Sequence, residues 1–266
     1  MTDKEIFFAY RNNPKMIEAF ENAQKTFKYF WRELSWEYRR IVPALIVSCV
    51  KVAFTQQTDN GQTAEHMWIN DVQFDGNNVE GILINSPNEL TNIAHGDFVN
   101  VPLNQISDWL FATYSSQKPK TGLLKLFSST PSPKTFGGFT IQAMRSEMTN
   151  QGRKEHDRAW KLDFGDFNEV LLVNEQKDKS ENLIEHPMSK NMREKLIEFL
   201  NENPNEITNQ DENGLTLLHK ETIAGNLTSI EVLLSLGTDK NTKTNQGETA
   251  LDFAKKLNWE HIIPVL

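Results

Sequence analysis

Gly214-Leu-Thr-Leu-Leu218 and Gly247-Glu-Thr-Ala-Leu251 are one pattern, Gly-x-Thr-x-Leu, written twice at an offset of 33 residues. The same offset sets Gly225 over Asn258, Ile230 over Ile263 and Leu233 over Leu266, and one step back it sets Leu200 against Leu233. Self-similarity at a fixed period of this length marks an architecture of stacked units, each burying the apolar face of its neighbour. The chain from Met188 to Leu266 is therefore expected to be all-α, with about two and a half units. Met188–Asn203 would be a degenerate first unit of which mainly the helices survive.

Upstream, Asn174–Pro187 is charged and has no apolar period, so residues 175–187 read as a linker between a domain at 1–174 and the repeats at 188–266. The first domain opens with a helix start. Asn13 can cap free amides and Pro14 at the first helical position loses no hydrogen bond. Ile17, Phe20, Ala23, Phe27, Phe30/Trp31 and Leu34 then recur at spacings of three and four, which predicts a helix of about twenty residues lying on a sheet. Strands are predicted at 44–54, Glu65–Phe74, Val79–Asn85, Phe98–Val101 and Phe136–Met144, separated by turn signals such as Asp75-Gly-Asn-Asn78. Ser116–Lys134 reads as a long exposed loop, and Thr149 as the cap of a polar helix ending near Trp160. The predicted fold class is α+β: a helix packed on an antiparallel β-meander, followed by the helical repeats.

The chain has 266 residues, a formal net charge of −8 and a pI near 5.4. That balance disfavours nucleic acid and favours basic partners. Of the two longer segments, 188–266 is richer than 1–173 in excess acid for its length, with 12 acidic and 8 basic residues. Cys49 is the only cysteine, which rules out an internal disulfide and a cysteine metal cluster, and its apolar surroundings suggest a buried structural thiol. No apolar run reaches the length of a membrane span, and the N-terminus does not read as a signal peptide, so a cytoplasmic protein is expected.

The 33-residue period, with His219 after Leu218, Gly225, Val232-Leu-Leu234 and Gly237-Thr-Asp-Lys-Asn241, resembles the ankyrin repeat. Two positions depart from that family's pattern: its proline is Leu217 or Ala250 here, and its small pair is Glu221-Thr222. The resemblance implies that His219 braces a turn by bonding backbone. It also implies partner contacts at Glu212, Asn213, Leu215, Ile223 and Ala224, and at Asn245, Gln246, Glu248, Lys256 and Leu257. Ile223 and Leu257, apolar where that face is usually wet, are either partner anchors or packing against the neighbouring domain. Further upstream, Pro14–Phe30, Glu65-His-Met-Trp-Ile69, Gly81-Ile-Leu-Ile-Asn-Ser-Pro87, His95-Gly-Asp97 and Ile106-Ser-Asp-Trp109 resemble the YegJ-like bacterial domain of unknown function. That resemblance carries no activity.

No Gly-rich phosphate loop, nucleophile elbow or zinc helix motif is present. Asp108 reads as a local cap or turn residue beside a core Trp109. Glu155, His156, Asp157, Asp163 and Asp166 form the densest polar group, but consecutive helical positions diverge. No catalytic residue, cofactor or metal is expected. The reading is a non-catalytic bacterial protein that binds another protein, possible forms being an adaptor or an immunity protein that neutralises a basic toxin or effector. The alternative is an enzyme of unknown reaction with its site in the N-terminal sheet; it predicts convergence of at least two of His66, His95, His156 and Asp108.

Overall fold

The computed structural model describes residues 13–59, 61–113, 132–166 and 169–266. Helix α1 (Pro14–Glu37) starts where expected, with the Asn13 side chain accepting from the amide of Lys15 at 3.0 Å. Its buried stripe is Met16, Ala19, Ala23, Phe27, Phe30, Trp31 and Leu34, while Ile17 is 44% exposed. The stripe therefore enters one residue earlier than the large side chains suggested. Two alanines carry the helix close to the sheet, close enough for the Trp109 indole to donate to the carbonyl of Ala23 at 3.1 Å.

The sheet contains β1 (Leu45–Thr58), β2 (Gly61–Phe74), β3 (Asn78–Leu83), β4 (Phe98–Pro102), β5 (Ile106–Thr113) and β6 (Lys134–Gly137), in the order β4-β3-β2-β1-β5-β6 and antiparallel throughout. Only β1 to β4 form the expected meander. The chain then crosses back so that β5 pairs with the free side of β1, a correction to the simple meander. Ile106–Trp109 is not a chain end but the start of this central strand, in which seven of eight residues are buried. Burial on both faces produces a near-continuous apolar run without alternation, which hides the strand from periodicity.

The expected strand Phe136–Met144 is also corrected. Strand β6 stops at Gly137, the chain reverses, and α2 (Phe139–Arg145) begins. The carboxylate of Asp108 imposes the switch from across the sheet. It accepts from the amides of Phe139 at 3.0 Å and Thr140 at 2.8 Å, from the Thr140 hydroxyl, and from the amide of Trp109 at 2.9 Å. Lys51 packs beside it, donating to Thr140 Oγ1 at 3.1 Å with its ammonium over the Trp68 ring. Burial raises the Asp108 carboxyl and lowers the Lys51 ammonium, and each charge partly offsets the other's shift. Cys49 lies in the same layer, buried, with its thiol pushed up to about 12 by desolvation and by the charge of Asp108. Helix α3 (Asn150–Trp160) follows, capped by Thr149 accepting from Gly152. Leu162 and Phe164 close the second face of the sheet over Trp68, Leu110 and Ile141. The loop expected at 116–134 falls largely on residues outside those described.

Beyond it come α4 (Glu181–Ile184), α5 (Pro187–Asn191), α6 (Arg193–Glu202), α7 (Leu217–Ile223), α8 (Leu227–Ser235) and α9 (Ala250–Lys256). The 33-residue offset has structural counterparts. Thr216 and Thr249 each cap a seven-residue helix and each closes a reciprocal box, with His219 and Asp252 respectively. Gly225 and Asn258 adopt the same left-handed conformation, at φ 74° and 54°; asparagine tolerates it better than other non-glycine residues.

Removing the carboxylate in Asp108→Ala leaves four buried donors without their acceptor and the Lys51 ammonium without its neighbouring charge. The expected loss is about 3–5 kcal/mol, read as a fall in the urea midpoint; a loss below about 1 kcal/mol contradicts this role for Asp108.

Candidate partner-binding surface

The ten positions expected to contact a partner divide into tips and inner helix positions. The tips are Glu212, Asn213, Asn245 and Gln246, all exposed. They are tied to one another through backbone: Asn245 donates its amide to Asn213 O at 3.1 Å and its side chain to Glu212 O at 2.8 Å. His219 reaches Thr242 O at 3.1 Å, so it braces the next turn, and burial lowers its pKa.

The inner positions are covered. Ile223 and Ala224 are 1% and 0% exposed, and Leu215 and Leu257 6% each. Over Ile223 the cover comes from the first domain. The turn between β2 and β3 brings Gly76 against the rings and methyls of Phe253 and Ile223 so closely that a Cβ there would overlap the Phe253 ring. Next to it, Asn77 donates to Gln246 Oε1 at 3.0 Å and Glu248 Oε2 at 2.7 Å, and Lys256 reaches both Asn77 and Glu248. Glu248 and Lys256 are thus engaged within the chain.

The C-terminal half of α1 makes the second contact. Trp36 Nε1 donates to Asn226 Oδ1 at 3.1 Å, Asn226 donates to Glu221 Oε2 at 2.8 Å, and Arg39 pairs with Glu221 Oε1 at 2.8 Å while lying over the Trp36 ring. Glu221, one of the two residues that replace the repeat's usual small pair, is 2% exposed. Its charge is needed there because it anchors α1. Trp259 completes the contact: it donates to Ile223 O at 3.2 Å, meets Tyr29 edge-on at 5.6 Å, and lies under the Lys28 ammonium. Burial is the main cause lowering the Lys28 pKa.

The charged segment 174–187 is packed rather than free. Arg32, 1% exposed, donates to the carbonyls of Asn182, Leu183 and Ile184. Burial alone would raise the Glu33 carboxyl, but its hydrogen bond from His186 and the Arg40 guanidinium outweigh that and hold it below its ordinary value. What stays open at the junction is a cleft of about 330 Å³, with Trp31, Tyr38 and Phe74 on one wall and Asp211, Glu212 and Asn213 on the other.

With the fold and this junction in view, similarity to known proteins has a structural frame. Residues 13–164 match the family described as an uncharacterised protein conserved in bacteria, DUF2314. The chain belongs to this family. It is 44% identical, over all of its own length and 98% of the other's, to a putative ankyrin repeat protein of Neisseria meningitidis serogroup B. It is 29% identical over 87 residues, 33% of this chain and 44% of the other, to the uncharacterised protein YegJ of Escherichia coli K12. No solved structure matches.

The DUF2314 region ends within the strap that covers the second sheet face, so α4 to α9 lie beyond it. Within the region, the groups an enzyme reading would bring together have other partners. Asp108 serves α2; His66 Nδ1 lies 2.8 Å from Ser107 Oγ, with the ring stacked on Phe20 and its pKa lowered to about 4 by burial and then by the Lys51 charge. His156 lies 2.9 Å from Asp157, which pairs with Arg145 at 2.7 Å, and His95 is exposed. Among the described residues no group of three or more His, Cys, Asp or Glu could hold a metal ion, and no helix is long and apolar enough to cross a membrane.

Trp36, Asn77 and Asn226 are the junction residues that sequence reasoning missed. Gly76 was visible only as part of a turn, whereas Glu221 stood out as a charge in place of a small residue. Gly76→Val places a branched side chain against Phe253 at a φ of 97° that L-residues rarely adopt. The expected result is a loss of about 2–4 kcal/mol, with new protease cleavage between 174 and 216 at a protein concentration where the parent resists. Unchanged protease resistance would contradict the contact.

Proposed function

We propose that this DUF2314 protein is a non-catalytic binder of another protein, and that residues 188–266 are a degenerate ankyrin array of about two and a half repeats docked on a YegJ-like domain at 1–174. The supporting observation is the 33-residue echo realised as equivalently capped helices in a chain similar end to end to a putative ankyrin repeat protein. The exposed tips Glu212, Asn213, Asn245 and Gln246 are the part of the expected contact set left to a partner, the inner positions being used within the chain.

The partner is a basic protein. The net charge of −8 favours capture of a cationic surface and speeds encounter with it. An immunity or inhibitor role, in which the chain sequesters a basic toxin or effector in the cytoplasm, fits this chemistry. In the second reading, an enzyme with its site in the sheet, Asp108 is already committed to holding the start of α2 and His95 is exposed.

Affinity purification of the tagged full chain from its native bacterium, followed by mass spectrometry, tests the proposal. One stoichiometric protein of pI above about 9, released as salt is raised from 0.1 to 0.5 M, is expected. Recovery of an acidic partner, or of none across growth conditions, overturns it.

A further inference from the structure

The two edges of the sheet are treated differently. On β6, Thr135 donates to Asp163 O at 3.0 Å, Gly137 donates to Leu171 O at 2.8 Å, and Asp163 donates back to Pro133 O at 2.8 Å, so that edge is closed by the chain itself. On β4 no described residue does this. Leu83 donates to Asp97 O and Leu103 to Asn77 O, which fixes the alternation of the ladder: positions 97, 99, 101 and 103 bond to β3. The backbone N–H and C=O groups of Phe98 and Asn100 therefore point away from the sheet, to an edge five residues long.

Edges of this kind are normally blunted by lysine, a bulge, an internal proline or a covering segment. Phe98-Val-Asn-Val-Pro102 has no lysine, its register with β3 runs without a bulge, and its proline stands only at the end. Phe98 is 65% exposed and Ile84, on the adjoining strand end, 39%. The charges that β3 and the turn into β4 contribute are acidic, Glu80 and Asp97, while Glu80 also lines the cleft that holds Arg39 and Lys220. Between Lys51 and Lys118 the sequence has no Lys or Arg, while Asp59, Glu65, Asp71, Asp75, Glu80, Glu89, Asp97 and Asp108 fall there; of these Asp108 alone is fully buried. Glu80 stands directly across the ladder from Asn100 and accepts its side-chain amide at 2.6 Å. A strand added outside β4 would run roughly 9–10 Å from Glu80, two strand spacings, within the span of an extended lysine. A second copy of this chain would bring the same acidic wing against itself, which like-charge repulsion disfavours.

We propose that the open edge of β4 is a docking site for an extended, lysine- or arginine-bearing strand of the partner protein, joined to the sheet by β-addition through Phe98 and Asn100. Main-chain hydrogen bonds hold the strand, and the acidic wing selects its charge. This names the surface for the basic partner proposed above and rests on that reading.

The test uses the full chain and three blocked octapeptides: alternating Val-Lys, alternating Val-Glu, and alternating Val-Lys N-methylated at every backbone amide, which keeps the charge but cannot donate to an edge. Hydrogen exchange and titration calorimetry are read together. Val-Lys is expected to bind and to slow exchange at the Phe98 and Asn100 amides, with at least tenfold weaker binding to the other two peptides. F98K/N100K is expected to lose at least tenfold in Val-Lys affinity with exchange in α7–α9 unchanged. Should that variant not fold, E80Q/D97N, which spares the backbone edge, is expected to lose most of the salt dependence. Equal binding of the N-methylated peptide, or protection elsewhere than β4, overturns the β4 site and leaves the protein-binding reading intact. A concentration-dependent dimer dissolved by F98K/N100K assigns the edge to a second copy and likewise overturns it. Failure of the affinity purification, by contrast, removes the protein-binding reading itself.

Discussion

The turn at Gly76 seated against Phe253 and Ile223 is the constraint on which the rest of the architecture depends. Helices α5 to α9 are short, and such helices bury little apolar surface against one another alone. Here the β2–β3 turn packs on Phe253 and Ile223, and a single apolar core runs from Met16 through Trp109 to Phe253 and Ile262. Helix α1 and the β2–β3 turn thus supply part of the core that the C-terminal helices need.

The polar chemistry of the junction follows from the same contact. Arg39–Glu221 and the Glu33–Arg40–His186 group are ion pairs with at least one member almost removed from water. Such pairs add little net stability compared with apolar replacements, but leaving one partner alone is costly. They therefore oppose any arrangement in which α1 slides along the helices, since a shift would strand Glu221 or Glu33. Trp36 and Asn226 act in the same way, each satisfying the other where neither could bond water.

The helices announced themselves through caps and periods, as at Asn13-Pro14, Thr149, Thr216 and Thr249. Strands β1 to β4 were legible because Gly/Asn turns separate them. Strand β5 was not, because burial on both faces removes the alternation that marks a strand, and α2 was not, because its cap, Asp108, is 31 residues upstream in sequence. The positions expected to meet a partner differ in how the structure places them. Sequence placed Glu212, Asn213, Asn245 and Gln246 at tips, where they stand exposed. It could not place Ile223 under the β2–β3 turn, since a repeat pattern describes neighbours within a stack and is silent about a domain lying across it. Ile223, apolar on a face that is usually wet, was one trace of that domain, and Glu221 was its electrostatic counterpart.

Native-state hydrogen exchange on the full chain, followed through a urea series, tests most directly whether the helices and the sheet form one unit. If the docked face holds the chain together, amides of Ile230–Leu233 in α8 and of Val50 and Leu110 in β1 and β5 converge on one unfolding isotherm with a common free energy and slope. Two separate isotherms, with the α8 amides opening at markedly lower free energy while the sheet amides keep theirs, would contradict it.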